Sequence, residues 1–208
     1  SDGTAEGTFP ILELPVGNEG PEFPIETVGA RVYFAADDGM SGKELWTSDG
    51  TVAGTYRVAD IVAGPGSSNP RNLIHADGEL FFTTGSALVT ELWTTDGTSE
   101  GTKRIKDFSP GRIRASSSFL YWLEDQLLFS ATDSSDGLEL WSSDGTTAGT
   151  QLLKEIVPGP ESSDLQSIAD VDGILFFTSR SPDGLLDLWR TDGTANGTMR
   201  VKSFTGPV

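Results

Sequence analysis

The chain has 208 residues, of which 36% are hydrophobic, with 25 glycines, 11 prolines and no cysteine, and its formal net charge is −17. The absence of cysteine excludes disulfides, thiolate metal sites and cysteine nucleophiles. The negative charge argues against nucleic acids and anionic membranes as partners, because these bind proteins through Lys and Arg. No apolar run approaches the roughly 20 residues of a spanning helix, so membrane insertion is not expected.

One phrase recurs along the whole chain and sets its organisation. It reads ELWTSDGT at Glu44–Thr51, ELWTTDGT at Glu91–Thr98, ELWSSDGT at Glu139–Thr146 and DLWRTDGT at Asp187–Thr194. The tryptophans of the four copies are 47, 48 and 48 residues apart, and a truncated copy, SDGTAEGT, opens the chain. A fixed period of this length indicates a repeat architecture.

Each period contains four short segments with the composition of β-strands, which we label a to d in chain order. Strand a is variable, strand b is apolar (VYFAA, LFFTT, LLFSA and LFFTS), strand c holds the ELW phrase, and strand d follows the second Gly-Thr. The segments are rich in β-branched and aromatic residues and are bounded by Gly, Asp, Ser or Pro. Four antiparallel strands in about 47 residues match the size of one propeller blade.

The sequence therefore predicts an all-β protein that is a single β-propeller domain over residues 1–208. Its blades are expected at about 15–62, 63–109, 110–157 and 158–208, and residues 1–14 supply an extra outer strand because TFPILEL resembles strand d. Four blades that close within the chain are the first expectation. The surplus strand indicates instead a larger ring or strand exchange, so a homo-oligomer or a larger repeat array stays open.

The DGTxxGT segment between strands c and d is interpreted as a structural turn. Its Asp can accept hydrogen bonds from backbone N–H groups, and its glycines can adopt positive φ. The acids are too sparse for a calcium loop. Strand d carries seven of the 14 Lys and Arg residues, as expected for an exposed edge. We expect these bases to pair with the acid that begins each ELW phrase.

At one position of the repeat, five residues before the start of each strand b, the residue type differs between the four copies. We call this position the variable column. The column lies between uniformly apolar positions and includes the only histidine of the chain. A polar, variable column on the innermost strand points to the central channel or its mouth, and water-filled channel lining is the simpler interpretation. With one neighbouring aromatic residue, the candidate ligand-binding residues are Thr27, His75, Tyr121, Trp122 and Asp170.

Acidic residues also gather in the loops between strands b and c, at one rim of the predicted propeller. Weak calcium binding is the functional interpretation and solvated turn acids the simpler one. The candidate metal ligands are Asp37, Asp38, Asp133 and Asp136. The ELW tryptophans fit packing between blades, with sugar stacking as the alternative.

The phrase ELWxxDGTxxGT resembles the bacterial ELWxxDGT-repeat proteins over essentially the whole chain. The resemblance implies a propeller-like, exported or surface-exposed bacterial protein, and it brings no activity, because the family has no catalytic motif to carry over. Apart from the calcium considered above, no cofactor is expected. The second copy departs from the pattern, because its loop TTGSALVT (Thr83–Thr90) lacks the acidic-glycine turn of ADDGMSGK (Ala36–Lys43).

These features predict a non-catalytic scaffold or recognition module that binds a glycan, a protein or a surface through one propeller rim. Ser-His-Asp catalysis would depend on His75 alone, and the chain has no GxSxG elbow and no phosphate-binding glycine loop. The alternative is a glycan-active hydrolase that uses channel carboxylates, with Asp170 and Glu26 as the pair on strand a.

Overall fold

The fold is derived from a computed structural model, which describes residues 3–11, 22–85, 91–109, 112–114, 120–132, 137–180 and 184–204. All strands in these ranges belong to four antiparallel sheets, and each sheet follows chain order from its first strand to its last. The sheets are the blades predicted from the repeat. None of the described residues is helical.

The strands are numbered along the chain. Blade 1 contains β1 (Glu22–Val28), β2 (Arg31–Asp37), β3 (Lys43–Ser48) and β4 (Tyr56–Arg57). Blade 2 contains β5 (Arg71–Ala76), β6 (Glu79–Thr84), β7 (Glu91–Thr95) and β8 (Lys103–Asp107). Blade 3 contains β9 (Arg112–Arg114), β10 (Leu120–Leu123), β11 (Gln126–Thr132), β12 (Glu139–Ser143) and β13 (Gln151–Lys154). Blade 4 contains β14 (Gln166–Val171), β15 (Ile174–Arg180), β16 (Leu186–Thr191) and β17 (Met199–Phe204).

Blade 3 has five strands because its first strand is in two pieces. Both β9 and β10 pair with β11, at its two ends, so together they occupy the place of strand a. The pairing of strands b and c is the same in every blade, and the phenylalanine of strand b lies opposite the ELW tryptophan. The pairs are Phe34–Trp46, Phe82–Trp93, Phe129–Trp141 and Phe177–Trp189.

Each blade has two apolar faces, because side chains alternate along a strand and strands b and c are apolar at successive positions. We call the face that carries the Phe–Trp pair the front face. The rear face carries the residue before that phenylalanine, the leucine of the ELW phrase, and an apolar residue of strand d. In blade 1 the rear-face residues are Tyr33, Leu45 and Val58.

The core lies between the blades, where the rear face of one blade packs against the front face of the next. The first cluster joins Tyr33, Leu45 and Val58 of blade 1 to Leu80 and Phe82 of blade 2. The second joins Phe81, Leu92 and Ile105 to Leu127, Phe129 and Trp141, and the third joins Leu128 and Leu140 to Leu175, Phe177 and Trp189. Each large side chain buried in this way stabilises the stack by about 1.5–3 kcal/mol. The predicted role in packing between blades is confirmed for Trp93, Trp141 and Trp189, whereas Trp46 clusters with residues of its own blade.

In the DGTxxGT turn the Asp, the first Thr and both glycines each have a structural role, as blade 2 illustrates. Asp96 Oδ1 accepts hydrogen bonds from the N–H of Thr98 at 2.8 Å and from its hydroxyl at 2.7 Å, and the N–H of Gly101 donates to the same hydroxyl at 2.9 Å. The Thr98 hydroxyl, and then its N–H, lower the pKa of Asp96. Gly97 has a φ of 91°, and a Cβ on Gly101 would overlap the Asp96 carboxylate.

The same hydrogen bonds recur in the turns of blades 1, 3 and 4. The truncated N-terminal copy also forms the turn, since the N–H of Gly7 donates to Thr4 Oγ1 at 2.9 Å and the Thr8 hydroxyl donates to the Thr4 carbonyl. Residues 9–11 are not in a strand, and the rest of the predicted extra outer strand lies outside the described residues.

Candidate functional site

The variable column lies at one register position of the innermost strand in all four blades. Its members pair with the first apolar residue of strand b. The pairs are Thr27–Val32, His75–Leu80, Trp122–Leu127 and Asp170–Leu175. The side chains of Thr27, His75 and Asp170 are exposed, while Tyr121 and Trp122 are half-buried.

Contacts between the inner strands of neighbouring blades hold much of this column in place. Glu26 Oε1 accepts a hydrogen bond from the backbone N–H of His75 at 3.3 Å, which ties blade 1 to blade 2. The Tyr121 hydroxyl donates to Asp170 Oδ2 at 3.0 Å and ties blade 3 to blade 4. Burial, and then this bond to Asp170, raise the pKa of Tyr121.

Trp122 makes the corresponding contact between blades 2 and 3 through apolar atoms. Its ring centroid lies 5.4 Å from that of Phe81, and the side chain packs against the second core cluster. The column is therefore a seam between inner strands, and we call it the inner-strand seam. What it presents to solvent is the His75 imidazole, the Thr27 hydroxyl, the Asp170 carboxylate and part of two aromatic rings.

The carboxylates of the hydrolase alternative both hold backbone groups. Asp170 accepts the N–H of Gly173 at 3.0 Å through Oδ1, besides the Tyr121 hydroxyl through Oδ2, and Glu26 accepts the N–H of His75. These bonds fix the turn after β14 and the spacing of β1 and β5. The structure thus gives each carboxylate a role in ordering the backbone.

Two of the candidate metal ligands shape their own loop. Asp37 Oδ1 accepts the N–H of Gly39 at 2.7 Å, and Asp38 Oδ1 accepts the N–H groups of Met40 and Ser41 at 2.9 and 2.7 Å. Burial alone would raise the pKa of Asp38, but the bonds from Met40 and Ser41 lower it overall.

The other two candidates, Asp133 and Asp136, lie outside the described residues. Across the ranges that the structure describes, no group of three or more His, Asp or Glu side chains is placed to hold a metal ion. Those ranges also contain no helix long and apolar enough to cross a membrane.

The acids of the ELW phrase divide into two kinds, which the repeat did not reveal. The expected pairing with bases of strand d occurs in blades 2 and 4, where Glu91 contacts Arg104 at 2.6 Å and Asp187 contacts Arg200 at 3.4 Å. It is wrong for blades 1 and 3. In blade 3 the position of Arg104 is taken by Leu152, and in blade 1 Arg57 pairs with Asp60 at 2.9 Å instead.

In blades 1 and 3 the acid is buried and binds the connection that leads to the next blade. Glu44 accepts hydrogen bonds from the N–H and the hydroxyl of Ser68, and Glu139 Oε2 accepts the N–H groups of Ile156 and Val157 at 2.6 and 3.2 Å. Burial raises the pKa of Glu44, and it raises the pKa of Glu139 to about 7. No shared residue of the two connections signals this division, because Ser68 binds Glu44 whereas the equivalent Ser163 donates to the Leu138 carbonyl.

Comparisons with known proteins show the fold of the chain, but they assign it to no family. No family model matches the chain, and no curated protein matches it. Among solved structures it is similar to a puromycin-hydrolysing peptidase from Mycobacterium tuberculosis, with a TM-score of 0.61 and 13% identity over 95% of this chain and 30% of that one. It is also similar to oligopeptidase B from Leishmania major, with a TM-score of 0.57 and 14% identity over 91% of this chain and 28% of that one.

The matched parts of these peptidases are their β-propeller domains, so the chain has a β-propeller fold with four-stranded blades. The predicted fold class is confirmed. The chain spans about 28–30% of the length of the two peptidases.

Proposed function

We propose that the chain is a non-catalytic recognition module, exported by a bacterium or displayed on its surface. It binds a glycan, a protein or a surface at the end of the propeller channel that the inner-strand seam lines. The observation that carries this proposal is how the residues divide. Residues that repeat are used in turns and blade packing, whereas one position of the innermost strands differs between blades and exposes Thr27, His75 and Asp170.

Charge and resemblance support the rest of the proposal. A net charge of −17 favours neutral or basic partners over polyanions. The likeness to bacterial ELWxxDGT-repeat proteins supports export, because that family is known mostly from secreted or surface-exposed proteins. The likeness to peptidases concerns the propeller alone and lends no support to peptide hydrolysis.

A binding screen with matched variants tests the proposal. An array of neutral and basic oligosaccharides is probed with the wild type, His75→Ala and Thr27→Ala, which change two exposed side chains of the seam. Saturable binding should weaken by about tenfold or more in at least one variant. Gln151→Ala, exposed on the outer strand β13 of blade 3, is the control and should bind like the wild type.

Two results would contradict the proposal. Binding that is unchanged in both seam variants would place recognition elsewhere on the protein. Hydrolysis of chromogenic glycosides by the wild type, lost in Asp170→Asn, would favour the hydrolase alternative, because a recognition module has no turnover.

A further inference from the structure

The buried acid of blade 3 has one carboxylate oxygen without a partner. Glu139 is 5% exposed, and its Oε2 accepts the N–H groups of Ile156 and Val157 at 2.6 and 3.2 Å. Within the described part of the chain, Oε1 is buried and has no hydrogen-bond partner. A buried carboxylate oxygen without a donor disfavours the ionised form, because nothing replaces the water that it has lost. The site therefore favours a proton on Glu139.

The equivalent acid of blade 1 shows what Oε1 of Glu139 lacks. Both oxygens of Glu44 accept hydrogen bonds from Ser68, Oε1 from its N–H at 3.1 Å and Oε2 from its hydroxyl at 2.5 Å. The N–H groups of Ile61 and Val62 add two longer bonds, at 3.3 and 3.4 Å. Blade 1 thus supplies donors to both oxygens of its acid, and a hydroxyl is one of them.

Ser163 is the residue of blade 3 that is equivalent to Ser68, and it is turned away from the acid. Each serine is buried and lies 24 residues after its acid. The Ser163 hydroxyl donates to the Leu138 carbonyl at 2.6 Å, and its N–H donates to the same carbonyl at 2.9 Å. A hydroxyl has one hydrogen to donate, so in this arrangement it does not serve Oε1 of Glu139.

The backbone around the two serines is nearly the same. The residues that follow them, Asn69 and Asp164, have φ values of 51° and 46°. The residues that precede them also act alike, since Ser67 Oγ accepts the N–H of the residue before Glu44 at 2.9 Å and Ser162 Oγ accepts the N–H of the residue before Glu139 at 3.1 Å. Rotation of one side chain therefore brings the hydroxyl of the blade 3 serine to the place that its counterpart takes in blade 1.

The charged residues around Glu139 reinforce its preference for the proton. Burial is the main cause that raises the pKa of Glu139 to about 7, and the negative charge of Glu155 adds to it, against the effect of the two N–H bonds. Strand β11 has no charged residue, and the cations of the adjacent strands, Lys154 of β13 and Arg180 of β15, donate to backbone carbonyls of blade 4. The other charged residues of the connection, Glu161 and Asp164, are acidic.

We propose that Glu139 and Ser163 form a proton switch in the connection between blades 3 and 4. With a proton on Oε1, Glu139 is neutral and the Ser163 hydroxyl donates to the Leu138 carbonyl, which is the arrangement in this structure. When the proton leaves to solvent, the hydroxyl turns from Leu138 to the ionised Oε1, as the Ser68 hydroxyl binds Glu44.

The switch lies at a joint between two blades. Ile156 and Val157, whose N–H groups bind Oε2, pack with Leu165 in the core cluster that also contains Trp189 of blade 4. Ionisation strengthens these two hydrogen bonds, because a charged acceptor binds an N–H group more strongly than a neutral one. A change in pH therefore alters how the connection is held, while both blades stay folded.

Carbon-13 NMR of the side-chain carboxyl groups as a function of pH tests the proposal on the full chain. The Glu139 carboxyl should titrate with a midpoint far above its ordinary value of 4.5, up to about 7, and the Ser163 amide resonance should change with the same midpoint. A midpoint near 4.5 would overturn the proposal, because Glu139 would then hold no proton at neutral pH. A Ser163 resonance that does not follow Glu139 would overturn it as well, and this result needs no variant.

Variants separate the switch from a purely structural role. Ser163→Ala removes the donor that serves the ionised form, so the Glu139 midpoint should rise by about one pH unit, a tenfold gain in proton affinity. Ser162→Ala is the matched control, because it removes a neighbouring hydroxyl that binds the Leu138 N–H, and it should leave the midpoint unchanged. An unchanged midpoint in Ser163→Ala contradicts the switch, and so does an equal rise in both variants, which would indicate a loosened connection.

Glu139→Gln gives the remaining control, because glutamine does not titrate. In this variant the Ser163 amide resonance should stay constant between about pH 5 and 8, the range around the pKa of Glu139. A change that persists would belong to another titrating group and would overturn the assignment.

Discussion

Replacing Glu139 by glutamine removes a buried charge without removing the hydrogen bonds that its side chain accepts. Glu139 Oε2 accepts the N–H groups of Ile156 and Val157, and the side chain is 5% exposed. Among the described residues, its Oε1 is buried and has no hydrogen-bond partner. Glutamine has the same shape and can place its carbonyl oxygen where Oε2 lies.

The expected change in the free energy of unfolding follows from the pKa of Glu139. Burial raises the pKa of Glu139 from 4.5 to about 7, against the effect of the two N–H bonds. The folded state therefore holds the proton more tightly than the unfolded state, so the free energy of unfolding is highest below the unfolded pKa and falls as pH rises toward 7. A shift of this size corresponds to about 3 kcal/mol. Glu139→Gln should match the wild type near pH 4.5 and exceed its stability by up to about 3 kcal/mol above pH 8.

Urea unfolding at a series of pH values measures this difference. Glu91→Gln is the control, since it removes the same charge from the same position of the ELW phrase. Because it also loses the half-exposed ion pair with Arg104, it should lower stability by up to about 1 kcal/mol and gain nothing at high pH. A difference between Glu139→Gln and the wild type that stays constant with pH would refute the reasoning.

Three further substitutions address packing, turn and seam, each followed by urea unfolding. Phe108→Ala should lower the free energy of unfolding by about 3–5 kcal/mol, because it removes the ring that packs between blades 2 and 3. A change near zero would contradict this interface. Gly101→Ala should lose at least about 1 kcal/mol, because its Cβ overlaps the Asp96 carboxylate, and a neutral effect would contradict the turn geometry. Tyr121→Phe should lose about 0.5–1.5 kcal/mol, the value of its bond to Asp170, and the double variant with Asp170→Ala should show coupling between the two.

The fold was predictable because the repeat imposes the same local rules four times. The repeat period predicted the size of a blade, the ELW tryptophans predicted packing between blades, and the Asp-Gly-Thr spacing predicted the turn. These are local properties that short-range chemistry determines. Aligning the copies also placed Thr27, His75, Trp122 and Asp170 at one register position, since equivalent residues of equivalent blades pair alike.

The contacts of those residues were not predictable, because they depend on which blade lies beside which. Tyr121 meets Asp170 and Glu26 meets His75 only after the blades stack, 49 residues apart in the chain. Whether an ELW acid pairs with a base of strand d or binds the connection to the next blade depends in the same way on residues distant in the chain. Glu139 has no base opposite it because strand d offers Leu152, whereas Arg57 of blade 1 pairs with Asp60 and leaves Glu44 to the connection. A single copy of the phrase contains neither difference.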